Sequence, residues 1–291
     1  MTSDIFSSFF TSKRLEFVRR GIAQALDEDG PDLTSRALFA PDDAATAVIV
    51  AKEHTLVAGL ALAPMVLDAV EPGAGSGATL LAAEGERVEP GAEVTRITGS
   101  ARTLLAAERI ILNHLCHMSG VANLTRAYAR QLEGTRTRLL DTRKTLPGLR
   151  YLEKYAVLLG GGKNHRMDLA EMLMLKDNHI DRAGGIAPAV AALRAAYAPC
   201  PPIEVECRTE GEVREAVSAR VERIMLDNMP PAALRDVLAL VPEGIETEVS
   251  GGVNLDTIKQ IGEAGPDFVS VGRLTHSAPS ADFSMRIAQD G

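Results

Sequence analysis

The sequence predicts an α/β protein whose larger part is an incomplete, open TIM-like barrel of parallel strands. Two observations carry this reading. From about residue 137, six short apolar segments (RLLD, MLMLK, IEVEC, RIMLD, ETEVS and DFVSV) alternate with helical stretches near 148–159, 184–198, 210–219, 231–240 and 254–264. Such alternation calls for parallel strands joined by crossover helices. Six units could also build an open doubly wound sheet. However, nearly every segment is followed at once by polar or glycine residues: Thr142-Arg143-Lys144, Lys176-Asp177-Asn178, Glu206, Asp227-Asn228, Ser250-Gly251-Gly252 and Gly272-Arg273. The strand ends of a barrel converge on one mouth, whereas the outer strands of a flat sheet end far from its crevice. Six decorated ends therefore favour the barrel.

Upstream, residues from about 13 to 27 place Leu15, Val18, Ile22 and Leu26 at helical spacing. The following EDGPDLTS reads as a loop. Between residues 46 and 98 the segments shorten. TAVIVAKE, ATLLAAEGE and AEVTRITG read as strands, with an apolar helix near 60–70 and the glycine-rich turn EPGAGSGA between them. Gly99-Ser100 caps a long helix whose Leu104, Ile111, Leu115, Met118 and Ala122 form one stripe, so it should be buried along its length. At the far end, ADFSMRI alternates like one more strand and is expected to return to the amino-terminal part.

With 291 residues the chain can bury a core as one large domain or two modest ones. Hydrophobic residues at 46% and charged ones at 24% mark an ordinary globular protein. Trp is absent and aromatics make up only 4%, which argues against stacking platforms for single-stranded nucleic acid. The net charge of −8 argues against a general polyanion binder. Cys116, Cys200 and Cys207 are an odd set without CxxC spacing, which suits a reduced, cytoplasmic compartment. The amino-terminus lacks a basic segment followed by an apolar core, so no secretory signal is expected. No run approaches the ~18 apolar residues needed to span a bilayer, so no membrane partner is expected.

The chemistry concentrates between Arg136 and Lys176, where nine Lys or Arg face four Asp or Glu, a local balance of +5. Cations beside the Gly160-Gly161-Gly162 run and short apolar segments point to a pocket for a small molecule with several negative charges. Arg143 offers a bidentate fork to carboxylate or phosphate and Lys144 a compact charge beside it, while His165 and Arg166 add donors. Lys176 ends a very apolar strand and should project into the mouth. Glu206 and Asp227 end the next two strands. They could hold Mg²⁺, accept hydrogen bonds from ribose hydroxyls, or stabilise a developing positive charge. Glu204 shares a face with Glu206 by the period of two, leaving open which reaches further, with the later one favoured. Ser250-Gly251-Gly252, before a helix expected from about Asn254, and Gly272 could offer backbone amides to a phosphate. His114, Cys116 and His117 have the flavour of metal ligands but fall within the long buried helix, and a metal there is discounted.

These segments resemble a known family. EDGPDLTS, AERIILNHLCHMSGVA, LLDTRKTLPGLRYLEKYAVLLGGGKNHR, LKDNHI, IEVEC, IMLDN, SGGVN and VSVGRLTHSAP are similar to the type II quinolinate phosphoribosyltransferases, over nearly the whole chain after residue 25. The resemblance implies an amino-terminal α/β sandwich domain (1–111), an incomplete α/β barrel with the catalytic site (112–275) and a returning strand (276–291). It implies that quinolinate and phosphoribosyl diphosphate, with Mg²⁺, give nicotinate mononucleotide, diphosphate and CO₂. Arg143, His165, Arg166 and Lys176 would line the quinolinate site, Lys144 would face the diphosphate, and Glu206 and Asp227 would address the ribose and its metal. Thr142 would join the substrate site, and Ser250, Gly251, Gly252, Val271, Gly272 and Arg273 would cradle the 5′-phosphate with His276 nearby. A homodimer with shared active sites, or a higher oligomer, is also implied, with Arg109 lent by the partner subunit. Leu146 and Lys163 depart mildly from the signature. The rival readings are a paralogue using another aromatic acid, a Schiff-base aldolase built on Lys176, and a non-catalytic sensor of phosphorylated metabolites.

Overall fold

The computed structural model describes residues 2–73 and 75–288. Along the chain these form α1 (Thr2–Phe9), α2 (Ser12–Asp29), α3 (Leu33–Leu38), β1 (Ala44–Ala51), β2 (Thr55–Leu56), α4 (Ala63–Val70), β3 (Gly77–Leu80), β4 (Arg87–Val88), β5 (Glu93–Ser100) and the long α5 (Ala101–Gln131). There follow β6 (Arg138–Leu140), α6 (Arg150–Leu159), β7 (Leu173–Leu175), α7 (Asp177–Ala183), α8 (Ile186–Ala196), β8 (Ile203–Cys207), α9 (Glu210–Ser218) and β9 (Arg223–Asp227). The last elements are α10 (Pro231–Leu238), β10 (Glu246–Ser250), α11 (Ile258–Ala264), β11 (Phe268–Ser270), α12 (Arg273–His276) and β12 (Phe283–Ile287). Among the described residues, no helix is long and apolar enough to cross a membrane.

Two compact units emerge. Residues 1–125, 146–161 and 277–291 form the first, and residues 126–145 and 162–276 the second. The first border therefore falls after residue 125 of α5 rather than after residue 111 of the same helix, and α6, expected with the barrel, belongs to the first unit. Packing explains the second difference. Tyr155 on α6 is fully buried, with the rings of Phe6, Phe9 and Phe10 at 5.6, 5.7 and 5.1 Å.

The first unit is built on an antiparallel sheet in the order β12-β1-β5-β3. Its strands are rich in Val, Ile and Thr, and one face of β1 and β5 buries Ala47, Ile49 and Ile97 completely. The carboxy-terminal strand pairs with β1 from Ala47↔Ile287 to Ala51↔Phe283, which is the return expected of ADFSMRI. Helix α4 packs against β3, and α2 against α4 and α6, giving an α/β sandwich. At the start of α5, Ser100 Oγ accepts the Thr103 amide (3.1 Å), the cap expected of Gly99-Ser100. The stripe from Leu104 to Ala122 is buried throughout. EDGPDLTS is not simply a loop: α2 runs on to Asp29, and Asp32 accepts the Ser35 amide (2.9 Å) to start α3.

The second unit holds the six apolar segments as one parallel sheet in the order β6-β11-β10-β9-β8-β7. Side chains alternate along each strand. On β8, Ile203, Val205 and Cys207 are buried on one face, and Glu204 and Glu206 lie on the other. The sheet curls. Lys163 bridges to Leu140, setting the segment after it beside β6, five strand positions from β8. A flat sheet would hold those positions about 24 Å apart at ~4.8 Å per strand, yet His165 Nε2 lies 3.1 Å from Glu204 Oε2. The same segment reaches the other edge, where Arg166 Nη1 donates to the Met172 carbonyl just before β7 (2.8 Å). The seam between β6 and β7 is thus spanned by a turn and side chains instead of a ladder, which makes the barrel incomplete.

Candidate active site

Because the six strands are parallel, all their carboxy-terminal ends lie at one edge of the curled sheet. There the structure brings together Thr142-Arg143-Lys144 after β6, Gly272 after β11, Ser250 and Gly251 at β10, Asp227 at β9, Glu206 on β8 and Lys176 after β7. Each is positioned by a local device. Thr142 Oγ1 accepts the Lys144 amide (2.9 Å), and the Lys144 carbonyl accepts the Thr275 hydroxyl on α12 (2.8 Å). The Lys144 stem then lies across Gly272, where an added Cβ would stand 2.9 Å from Lys144 Cδ and 3.4 Å from His276 Nε2. Lys144, Gly272 and His276 therefore share one corner of the mouth.

On the acidic side, Lys176 Nζ lies 3.4 Å from Glu206 Oε2. Asp227 Oδ2 accepts the Asn228 side-chain amide (2.7 Å), and Asn228 takes a left-handed backbone (φ 54°) to make this contact. Among the described residues Asp227 has no cation at salt-bridge distance, so its remaining oxygen lone pairs are available to a ligand. Ser250 accepts the Asn228 amide through its carbonyl (2.9 Å), and Gly251 and Gly252 follow with φ of 87° and 62°. The helix expected from Asn254 begins only at Ile258, after a turn in which Asn254 Oδ1 accepts the Thr257 amide (3.1 Å). Any phosphate here would meet the glycine loop rather than a helix end.

The cationic side contains the unusual feature. Arg143 and Arg166 are close enough for the first guanidinium to depress the pKa of the second, after the larger effect of burial. Arg143 Nε is buried and has no hydrogen-bond partner. A buried guanidinium donor without a partner, within reach of a second guanidinium's charge, suits an anion.

The two glutamates on β8 separate by depth. Glu204 is fully buried, whereas the Glu206 side chain is 14% exposed and stands nearer the open end. His165 is only 6% exposed and lies behind the exposed donors, not among them. Its Nε2 faces Glu204 Oε2 (3.1 Å) and Glu248 Oε2 (3.4 Å), and its Nδ1 accepts the Arg166 amide (2.7 Å). Burial is the largest influence on its pKa and pulls it down, but the two carboxylates raise it to about 9. A second ring proton nevertheless has no place on Nδ1 while that atom accepts an amide. In this geometry the ring therefore carries one proton, on Nε2. Burial, then Glu248, hold the Glu204 carboxyl well above its usual range. His165, Glu204 and Glu248 have ligand atoms at metal-binding separation. However, a protonated Nε2, with Arg223 Nη1 3.6 Å from Glu248, makes a poor metal site.

The sequence reading did not single out Asp141, which is fully buried and accepts the His165 amide (2.8 Å) and the Asn164 side chain (2.6 Å). Its place between an apolar strand and the Thr-Arg-Lys turn was the available signal. His114 meets the Ile110 carbonyl (2.8 Å) and His117 meets Glu153 (2.8 Å). Arg109 lies on the part of α5 that belongs to the first unit.

Comparison with known proteins agrees with this layout. Residues 32–119 and 121–286 match the amino-terminal and carboxy-terminal domains of the family described as quinolinate phosphoribosyl transferase. A probable nicotinate-nucleotide pyrophosphorylase [carboxylating] of Bacillus subtilis is 40% identical over 256 residues, 88% of each chain. The chloroplastic nicotinate-nucleotide pyrophosphorylase [carboxylating] of Oryza sativa is 40% identical, covering 90% of this chain and 76% of its own. The crystal structure of NadC from Streptococcus pyogenes superposes with a TM-score of 0.88 at 37% identity, over 96% of this chain and 98% of that one.

Proposed function

The chain belongs to the quinolinate phosphoribosyl transferase family, and from that premise we propose that it joins quinolinate to the ribosyl group of phosphoribosyl diphosphate, releasing diphosphate and CO₂. The product is nicotinate mononucleotide, a step toward NAD. The observation that carries this reading is the unfilled buried Nε of Arg143, with Arg166 near enough to feel its charge, after a strand of the same parallel sheet as the one that leads into Lys176. Two carboxylates on one planar ring are the natural counter-charge for such a set. A Schiff-base role for Lys176 is disfavoured by its Nζ being engaged with the Glu206 carboxylate (3.4 Å).

Arg143, Arg166 and Lys176 hold the quinolinate carboxylates and fix the ring nitrogen toward the sugar. The 5′-phosphate rests on the backbone of Ser250, Gly251 and Gly252, with Val271, Gly272, Arg273 and His276 completing the cradle. Lys144 faces the departing diphosphate, beside Gly272. Positive charge develops at the sugar carbon as the diphosphate leaves, and the carboxylates of Glu206 and Asp227 stabilise it. No protein nucleophile is needed. Once the ring nitrogen is glycosylated, the cationic ring accepts the electron pair left at C2 when CO₂ departs, and a proton then completes the product.

Mg²⁺ is the proposed cofactor; Glu206 and Asp227 would hold it, and it would supply positive charge against the leaving diphosphate. The support is their hard oxygen chemistry and the uncompensated carboxylate of Asp227. We further propose a homodimer in which Arg109 of one protomer completes the quinolinate site of the other. A cytoplasmic location is supported by three free cysteines.

The test follows CO₂ and diphosphate released from quinolinate, with nicotinate as the alternative acid. Equal amounts of both products from quinolinate and turnover of neither acid without phosphoribosyl diphosphate are expected. Diphosphate release with nicotinate but not quinolinate would instead assign the paralogous reaction.

A further inference from the structure

His165 was expected to touch the substrate, but its surroundings give it another task. Its ring is nearly inaccessible, and both nitrogens are turned to protein: Nδ1 to the Arg166 amide and Nε2 to two fully buried carboxylates. Those carboxylates come from β8 and β10, strands inside the sheet rather than at either border of the seam. The turn that carries His165 is also the piece that spans the seam, through Lys163 to Leu140 on one side and Arg166 to Met172 on the other. Asp141 grips the same turn through the His165 amide and the Asn164 side chain.

We infer that His165 is a positioning residue, held by Glu204 and Glu248, which seats the Asn164–His165–Arg166 turn in the open seam and so aims the Arg166 guanidinium at a substrate carboxylate. The chain of contacts is short. Glu204 and Glu248 hold the ring by charge, their oxygens 3.1 and 3.4 Å from Nε2, the ring fixes the Arg166 amide, and the Arg166 backbone fixes where the guanidinium emerges. Arg223, within 3.6 Å of Glu248, offsets part of the negative charge below the ring. The inference rests on the reading that Arg166 binds a quinolinate carboxylate.

Substitutions separate the two ring nitrogens. Asn at position 165 keeps an acceptor near the place of Nδ1, Gln keeps a donor near the place of Nε2, and Ala keeps neither. Steady-state kinetics on the full enzyme, with melting curves for each variant, then read the outcome. A misaimed guanidinium predicts that His165→Ala raises KM for quinolinate about tenfold or more and leaves KM for phosphoribosyl diphosphate within about twofold. His165→Asn, which keeps the bond to the Arg166 amide but loses the grip at Nε2, should recover part of that loss, and His165→Gln should recover less. Recovery by Gln and not by Asn would overturn the inference, because it would mean that Nε2 rather than Nδ1 does the work. Equal rises in both KM values would overturn it too, as a general structural defect. If His165→Ala does not fold, the Asn and Gln variants still decide. Glu248→Gln should raise KM for quinolinate a few-fold, and no change would remove Glu248 from the account. Arg166→Ala separates the two levels. If it leaves KM for quinolinate unchanged, the underlying reading of the site fails. If it raises that KM while His165→Ala does not, only the positioning role fails.

Discussion

A methyl group at Gly251 would run into the side-chain amide of Asn228, and the glycine's φ of 87° already lies in the left-handed region. Replacing it with Ala should strain the backbone by about 1–2 kcal/mol and push Asn228 off Asp227. Gly251→Ala is therefore expected to raise KM for phosphoribosyl diphosphate and lower the melting temperature, with a smaller effect on quinolinate. Unchanged kinetics for the sugar substrate would mean that this glycine loop is not where the phosphate sits. His114 gives a prediction in pH. Burial, first, and neighbouring His117 hold its pKa below the usual 6.5, against the opposing bond to Ile110. The unfolded chain then takes up a proton that the folded chain refuses. The stability this residue contributes is complete above about pH 6.5 and is lost as pH falls below it. Urea unfolding at pH 7.5 and 5.5 should show a smaller acid loss for His114→Leu than for the parent; equal losses would contradict the assignment. Which residue types meet at the site was legible from strand-end positions, because a strand's period fixes the face a side chain takes. Depth was not legible. Glu204 and Glu206 share a face and differ only in how far along the barrel they lie, and nothing local in HRM foretells that the His165 ring turns inward to Glu248.

At the scale of elements, β12 shields the outer edge of β1, and Phe283 is its buried anchor. Phe283→Ala should destabilise the first unit by about 3 kcal/mol or more, as deletions of buried aromatic rings do. Ile287→Ala, at the exposed end of the same strand, should have a much smaller effect. Equal melting shifts for the two variants would show that β12 adds backbone pairing alone. The six barrel strands and α5 were readable because each pairs a strong period with a punctuating turn. Short elements were not. The first helix announces itself only through Phe6, Phe9 and Phe10, three rings at helical spacing that acquire meaning once Tyr155 is known to sit against them. Helix α3 hid inside a segment rich in turn residues because Asp32 acts there as a cap. The helix expected from Asn254 starts late for a similar reason, since the Asn254 side chain first closes a turn of its own.

At the scale of the whole molecule, a chain of net charge −8 gathers a local excess of cations between Arg136 and Lys176, and the parallel sheet sets Arg143, Lys144 and Lys176 just past strand ends at the same edge as Glu206 and Asp227. The alternation of elements foretold that convergence, but the placement of α6 in the first unit depends on tertiary packing that no local pattern records. The proposed dimer is open to complementation. Arg109→Ala and Arg143→Ala variants, each inactive alone, should regain about a quarter of parental activity when refolded together in equal amounts, because half of the dimers then hold one intact site. No recovery would place Arg109 in its own protomer's site or outside catalysis. The most direct test of the central claim is a crystal structure of the enzyme with quinolinate bound. The account predicts both carboxylates within salt-bridge distance of Arg143, Arg166 and Lys176, above the His165 ring and without contact to its nitrogens. Quinolinate bound away from the carboxy-terminal ends of the six strands, or held directly by His165 with Arg166 turned aside, would contradict it.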